Sequence, residues 1–357
     1  MPNYREAVLL DRETATTATT KIVDLELSET ISAISIMMRG TNNGSTPTNH
    51  PALMITKVEV VDGSDIIVSV SGKELEAQNV SESKQRMYYS SNYIDNNTVI
   101  WVGQIRFGRW LYDEKYALNP MKYKNLQIRI THNKALGGSV PDAGALSVVA
   151  HVFDEKQVSP VGAFQLQRIK QYTLVASAHE YTELPTDQVI RAIYILSRAD
   201  DLQPWQQFNK IKLYEDEGKK VIINDLRTSD VLRVFPWNPY FYEKMRVSAP
   251  TTEDDFYCTA CFDVGTWWNP ILGADSASLI AASYGGNVGV DVSAATEGDI
   301  FISGKCPHGA CRIPFGNQDQ DEDWYDVRQL KSLKLDLTAG GSASGTVEIV
   351  VQSVRPT

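Results

Sequence analysis

The sequence predicts an all-β chain of two tandem barrels, and three observations carry that expectation. Most segments alternate apolar and polar residues at period two. Gly, Pro, Asn, Asp and Ser punctuate them at short intervals, and the second part of the chain repeats the strand pattern of the first. Composition agrees: of 357 residues, 43% are hydrophobic and 22% charged, ordinary globular usage with room for two domains. The 34 Lys and Arg against 44 Asp and Glu give a net charge of −10, which argues against direct nucleic-acid binding. No apolar run reaches the roughly 18 residues of a membrane span; the stretch 145–153 is strand-sized and contains His151. The N-terminus breaks its apolar stretch with charges, so a secretory signal is not expected and synthesis is placed in a reducing cytoplasm.

Alternation predicts strands at 22–27, 31–38, 55–61, 66–70, 99–107, 126–131 and 146–153 in the first part. In the second part it predicts strands at 171–176, 189–196, 210–214, 220–224, 256–264, 288–292, 299–303, 333–338 and 346–351. Helix is scarce. One is expected over 80–90, capped by Asn79 with Glu82 three residues on, and a second over 229–234.

The repeat organises these elements. Residues 31–39 match 190–198 at five of nine positions, and the segments beginning at Lys57 and Ile66 find counterparts at Lys210 and Lys219 in the same order. Near each end, 126–131 lies over 333–338, and both are followed by a Gly-rich turn and a terminal strand. The spacing between the halves changes only where loops fall, because loops absorb insertions that strands cannot. The division is therefore 1–155, an N-terminal arm and first barrel, and 156–357, a second barrel with long loops inserted between about 236 and 325. About eight strands per unit suits an eight-stranded jelly roll. The inserted segments around Gly273 and Ser283 are rich in small residues, so they are expected outside the core, with Gly285 and Gly286 tolerant of insertion.

Catalytic motifs are missing: the five histidines, His50, His132, His151, His179 and His308, form no His-x-His pair, and no nucleophile elbow, metalloprotease helix or phosphate loop is present. Cysteines stand out more. Cys258 and Cys261, then Cys306 and Cys311, have spacings that suit a structural zinc site, but buried free thiols and a disulfide remain alternatives. On one continuous strand, Cys258 and Cys261 would face opposite sides unless a bulge intervenes. Asp319, Asp321 and Asp323 have the spacing that opens an EF-hand loop, but Trp324 stands where Gly is needed and Leu330 where Glu is needed. Aromatics gather at 235–242 and at Trp267 and Trp268, suited to core packing, subunit contact or stacking on sugars.

Two jelly-roll-like halves, the matching strands 126–131 and 333–338, a short helix in each half and long insertions in one mark a resemblance that covers nearly the whole chain. The chain resembles the double jelly-roll major capsid proteins of tailless icosahedral viruses, the lineage that includes adenovirus hexon and membrane-containing bacteriophages. The resemblance implies a structural protein of the virion and not an enzyme. It implies a homotrimer of pseudo-hexagonal outline that self-assembles into an icosahedral capsid, with assembly in the host cytoplasm. Its partners would be neighbouring capsomers, penton and minor capsid proteins, and an internal lipid membrane reached by the N-terminal arm. No cofactor is required in this reading; the expectation of structural zinc rests on the cysteines alone. The alternative is a two-domain jelly-roll protein that binds or processes carbohydrate, with the Trp-rich insertion as its binding surface.

Overall fold

The two repeats fold as two eight-stranded jelly-roll barrels in a computed structural model that describes residues 3–15, 18–249, 254–272, 277–283, 285–292 and 296–356. The first barrel begins with β1 (Tyr4–Thr14), β2 (Thr19–Asp24), β3 (Ile31–Thr41), β4 (Ile55–Asp62) and β5 (Asp65–Val70). Helix α1 (Gly72–Ser83) and the short β6 (Ser91–Tyr93) then lead to β7 (Thr98–Arg106), β8 (Leu126–His132) and β9 (Ala143–Phe153). Its sheets run β1-β9-β3-β7 and β2-β8-β4-β5.

The second barrel begins with β10 (Gly162–Thr173), β11 (His179–Leu184), β12 (Val189–Arg198), α2 (Pro204–Gln207), β13 (Phe208–Glu215), β14 (Lys220–Arg227) and α3 (Thr228–Val234). An insertion follows: β15 (Phe241–Ala249), β16 (Asp254–Tyr257), β17 (Ala260–Leu272), β18 (Ala277–Ser283), β19 (Asn287–Val292) and β20 (Thr296–Pro307). The barrel is completed by β21 (Ala310–Pro314), β22 (Tyr325–Asp326), β23 (Leu333–Ala339) and β24 (Thr346–Pro356). Its sheets run β10-β24-β12-β21 and β11-β23-β13-β14, with β22 pairing to β12.

The two orders coincide strand for strand. In one sheet β1, β9, β3 and β7 correspond to β10, β24, β12 and β21; in the other β2, β8, β4 and β5 correspond to β11, β23, β13 and β14. A helix follows β5 and β14 alike. The segments matched in sequence thus occupy equivalent strands, and their alternation has a direct cause: Leu126, Ile128 and Ile130 of β8 point into one core, Leu333, Leu335 and Leu337 of β23 into the other.

The barrels share structure. Strand β5 pairs in parallel with β10 at Val68↔Leu166, and β6 pairs in parallel with β15 at Asn92↔Arg246. The first core also takes in Ala192, Tyr194, Leu196 and Val350 of the second half. The insertion adds a sheet ordered β17-β20-β15-β6 and a three-stranded sheet ordered β16-β19-β18.

Several expectations are corrected. Residues 4–14, where no strand is predicted, form the edge strand of the first barrel, paired along β9 from Tyr4↔Phe153 to Thr14↔Ala145. The stretch 256–264 breaks at Cys258 and Thr259 into β16 and β17, and of 171–176 only 171–173 is strand, the end of β10. Alternation does not mark β11, whose sequence His-Glu-Tyr-Thr-Glu-Leu buries only Thr182 and Leu184. Residues 273–276 and Tyr284 lie outside the described residues. Gly285 and Gly286 are packed rather than free: both have positive φ, and added Cβ atoms would meet Ala199 O at 2.4 Å and Cys261 Sγ at 2.6 Å.

Helix α1 also lies earlier than predicted. Ser71, not Asn79, caps it: Ser71 Oγ accepts the Glu74 N–H at 3.4 Å, and the Glu74 carboxylate accepts the Ser71 N–H at 2.6 Å. Asn79 sits inside the helix and bonds the backbone N–H and C=O of Gln104 at 2.8 and 2.7 Å, tying α1 to β7. Ser71→Ala is expected to lower stability by about 1 kcal/mol, measured as a drop in the thermal midpoint; an unchanged midpoint would show that the cap is dispensable.

Candidate functional site

Helix α1 belongs to the first barrel but carries its charges to the second. Glu74, Gln78 and Glu82 recur every four residues and so share one face, which is covered rather than solvated. Glu74 Oε1 lies 2.8 Å from Arg168 Nε on β10, and Lys73 Nζ lies 2.9 Å from Glu348 Oε2 on β24. Glu82 pairs with Arg191 on β12, the two side chains only 6% and 4% exposed. Gln78 Nε2 donates to Glu82 at 2.6 Å, and Arg191 Nη1 donates to Gln352 Oε1 at 2.7 Å. Burial works to raise the Glu82 pKa, but Arg191 and Arg312 outweigh it and hold the carboxyl below its usual range.

A denser cluster extends this joint. His50, Glu76, Arg86 and Trp101 meet Glu243, Tyr257, Thr259 and His308 of the insertion and its closing turn, all buried. Arg86 is the centre: Nε donates to Glu76 Oε1 at 2.5 Å, Nη1 to Glu243 Oε1 at 2.8 Å, and Nη2 lies 3.2 Å from His50 Nε2. Trp101 Nε1 donates to Glu76 Oε2 at 2.9 Å, and the Thr259 N–H donates to Glu243 Oε2 at 2.7 Å. Burial opposes ionisation of both carboxyls, yet Arg86 foremost holds both below the usual carboxylate range. Burial pushes the His308 imidazole down to about 4 despite the nearby Glu76.

The turn that presents His308 is tightly specified. Cys306, His308 and Gly309 have φ of 58°, 53° and 75°, and the Gly309 N–H donates to Cys306 O at 3.0 Å. A Cβ on Gly309 would fall 2.1 Å from Ser197 O, so the turn requires glycine there. Together these contacts fix the two barrels relative to each other through charges that face one another across the boundary.

The residues singled out in the sequence fare differently. Cys258, Cys261, Cys306 and Cys311 are buried free thiols. Cys258 packs with Phe256 and Ile302 in the insertion, whereas Cys261, Cys306 and Cys311 pack in the second core. The interruption at Cys258 and Thr259 falls between the first pair. Burial raises all four thiol pKa values, those of Cys261 and Cys311 to about 12. Asp321 is paired with Lys115 Nζ at 2.5 Å and accepts the Tyr116 hydroxyl at 2.9 Å, while Asp319 and Asp323 are exposed. Phe235 and Trp237 stack at 4.4 Å; Trp267 and Phe301, cross-strand neighbours on β17 and β20, are 74% and 44% exposed. The joint itself escaped sequence reading, because residues near 50, 76, 86, 243 and 308 share no local spacing.

No family model and no curated protein matches the chain. Solved structures do match. The major capsid protein P2 from bacteriophage PM2 is similar over 99% of this chain and 98% of its own, with TM-score 0.58 and 12% identity. The STIV MCP is similar over 99% and 97%, with TM-score 0.60 and 10% identity. The PBCV-1 virus capsid is similar over 99% and 94%, with TM-score 0.60 and 9% identity. The chain has the double jelly-roll fold of these capsid proteins along its whole length.

Proposed function

We propose that the chain is a major capsid subunit that self-assembles as pseudo-hexagonal homotrimers into an icosahedral viral shell. The observation that carries this reading is the end-to-end likeness, which covers 99% of this chain and 98% of the PM2 protein rather than one barrel alone. The buried joint supports it, since a tile that presents one outline to every neighbour needs its barrels fixed. Two like barrels per chain place six around a threefold axis, and closed cyclic symmetry reuses each contact.

In this reading the protein acts by assembly and not by catalysis, and its place is the virion capsid, assembled in the host cytoplasm. The domains divide at 155/156, within the connection between β9 and β10. The insertion expected between about 236 and 325 corresponds to β15 to β20, since β21 and β22 return to the barrel, and the part of it away from the buried joint faces the outer surface, where neither neighbours nor contents obstruct it. Neighbouring capsomers, penton and minor capsid proteins and an underlying membrane are its partners. Light scattering on the purified chain tests the core of the proposal: a trimer is expected. A stable monomer at micromolar concentration, with no trimer in imaged particles, would rule it out.

A further inference from the structure

Among the described residues, His50, Glu76 and His308 bring two imidazole nitrogens and a carboxylate oxygen within 4.8 Å of one another. His308 Nε2 is buried without a hydrogen-bond partner and lies 3.4 Å from Glu76 Oε2. Its other nitrogen, Nδ1, is 2.8 Å from the Tyr257 hydroxyl. A proton on Nδ1 directed at that oxygen leaves the Nε2 lone pair facing Glu76. His308 is also held at φ 53°, a backbone state that a non-glycine residue keeps only where its surroundings impose it.

His50 is also held through its far nitrogen, although its Nδ1 already accepts the Ala52 N–H. Its Nδ1 lies 4.0 Å from Glu76 Oε2, while Nε2 faces Thr259 Oγ1 at 2.9 Å and Glu243 Oε1 at 3.4 Å. An imidazole backed by a carboxylate is the arrangement that orients metal-binding histidines. Charge points the same way: with neutral imidazoles, Glu76 and Glu243 carry two negative charges against the single positive charge of Arg86. A buried cluster one positive charge short is a place for a cation.

We propose that this cluster binds one zinc-type divalent ion through His50 Nδ1, Glu76 Oε2 and His308 Nε2, pinning α1 to the turn between β20 and β21. Two nitrogens and one oxygen suit zinc, whereas calcium takes six or more oxygen ligands. An ion at about 2.0–2.1 Å from each ligand needs ligand-to-ligand edges of roughly 3.3 Å, so shifts of about 1.5 Å at most close the triangle. His50 Nδ1, which accepts the Ala52 N–H at 3.1 Å, exchanges that bond for the ion. Arg86 holds the Glu76 carboxylate through Oε1, and Trp101 Nε1 donates to the ligand oxygen Oε2, which keeps a second lone pair for the ion.

The test uses the full-length chain, stripped with chelator and titrated with Zn²⁺ and, as a spectroscopic stand-in, Co²⁺. One metal per chain by elemental analysis is expected, with visible cobalt bands and no thiolate-to-metal band in the near ultraviolet. His308→Asn should abolish binding. Tyr257→Phe keeps all three ligands and should weaken binding at least about tenfold, the scale of losing a group that orients a ligand. If His308→Asn does not fold, Tyr257→Phe decides: unchanged affinity overturns the site. A folded chain that takes up no metal overturns it, as does a thiolate band that disappears in Cys306→Ser.

Discussion

Arg86→Met is expected to destabilise the folded chain by about 3–5 kcal/mol, the range for breaking a buried ion pair by removing one partner. Methionine retains much of the volume beside Tyr89, whose ring centroid lies 3.7 Å from the guanidinium carbon. It leaves Glu76 and Glu243 buried together with their shared counter-charge gone. Each must then stay ionised in the interior or take up a proton, and both outcomes favour the unfolded chain at neutral pH. Arg328→Met is the control. Its partner Asp326 is on the surface, with side chains 50% and 49% exposed, and such pairs contribute about 0–1 kcal/mol. Urea midpoints measure both variants. Equal losses would show that the joint adds nothing beyond a surface pair.

The contrast between these two arginines is invisible in sequence, and the reason bears on the whole fold. Alternation and repetition are properties of neighbouring residues, so β3 and β12, or β8 and β23, announce themselves by pattern. Strand β8 buries every second residue, and its matching partner β23 buries Leu333, Leu335 and Leu337. Helix α1 gives no such signal. Leu75 and Ala77 enter the first core, Val80 enters the core of the insertion, and its acids enter the joint, so no single apolar stripe marks it. Its start was nevertheless written in the Ser71-x-x-Glu74 box, a stronger signature than Asn79 with Glu82 because both reciprocal bonds form. The cysteine spacing marks neighbours in sequence only, whereas packing puts Cys258 in the core of the insertion and Cys261 in that of the second barrel. The joint needs residues from both barrels, and no spacing rule reaches from His50 to His308.

A second large effect is expected at the other end of α1, in the response to acid. Glu82→Gln should cost about 2–3 kcal/mol at neutral pH, since it removes a buried charge-assisted bond but keeps an amide near Arg191. It should also flatten the dependence of stability on pH. The folded-state pKa of Glu82 lies below its ordinary value of 4.5, so the unfolded chain holds that proton more tightly. The stability contributed by the ionised carboxylate is therefore complete above 4.5 and is lost as pH falls through the lower, folded value. Glutamine has no proton to take up. The variant starts less stable at neutral pH, and its stability curve should approach that of the parent as the solution is acidified. Glu76 and Glu243 titrate in the same direction, and Glu74, whose pKa is raised first by burial and then by Glu348, in the opposite one. All three remain in both proteins, so the difference between the curves isolates Glu82. Urea midpoints from neutral pH down to about 3 measure it. Curves that run parallel over that range would mean that the Glu82–Arg191 pair does not tie helix to barrel through its charge, and that the joint is held by its other ion pairs, by the strand pairings and by the packing of α1.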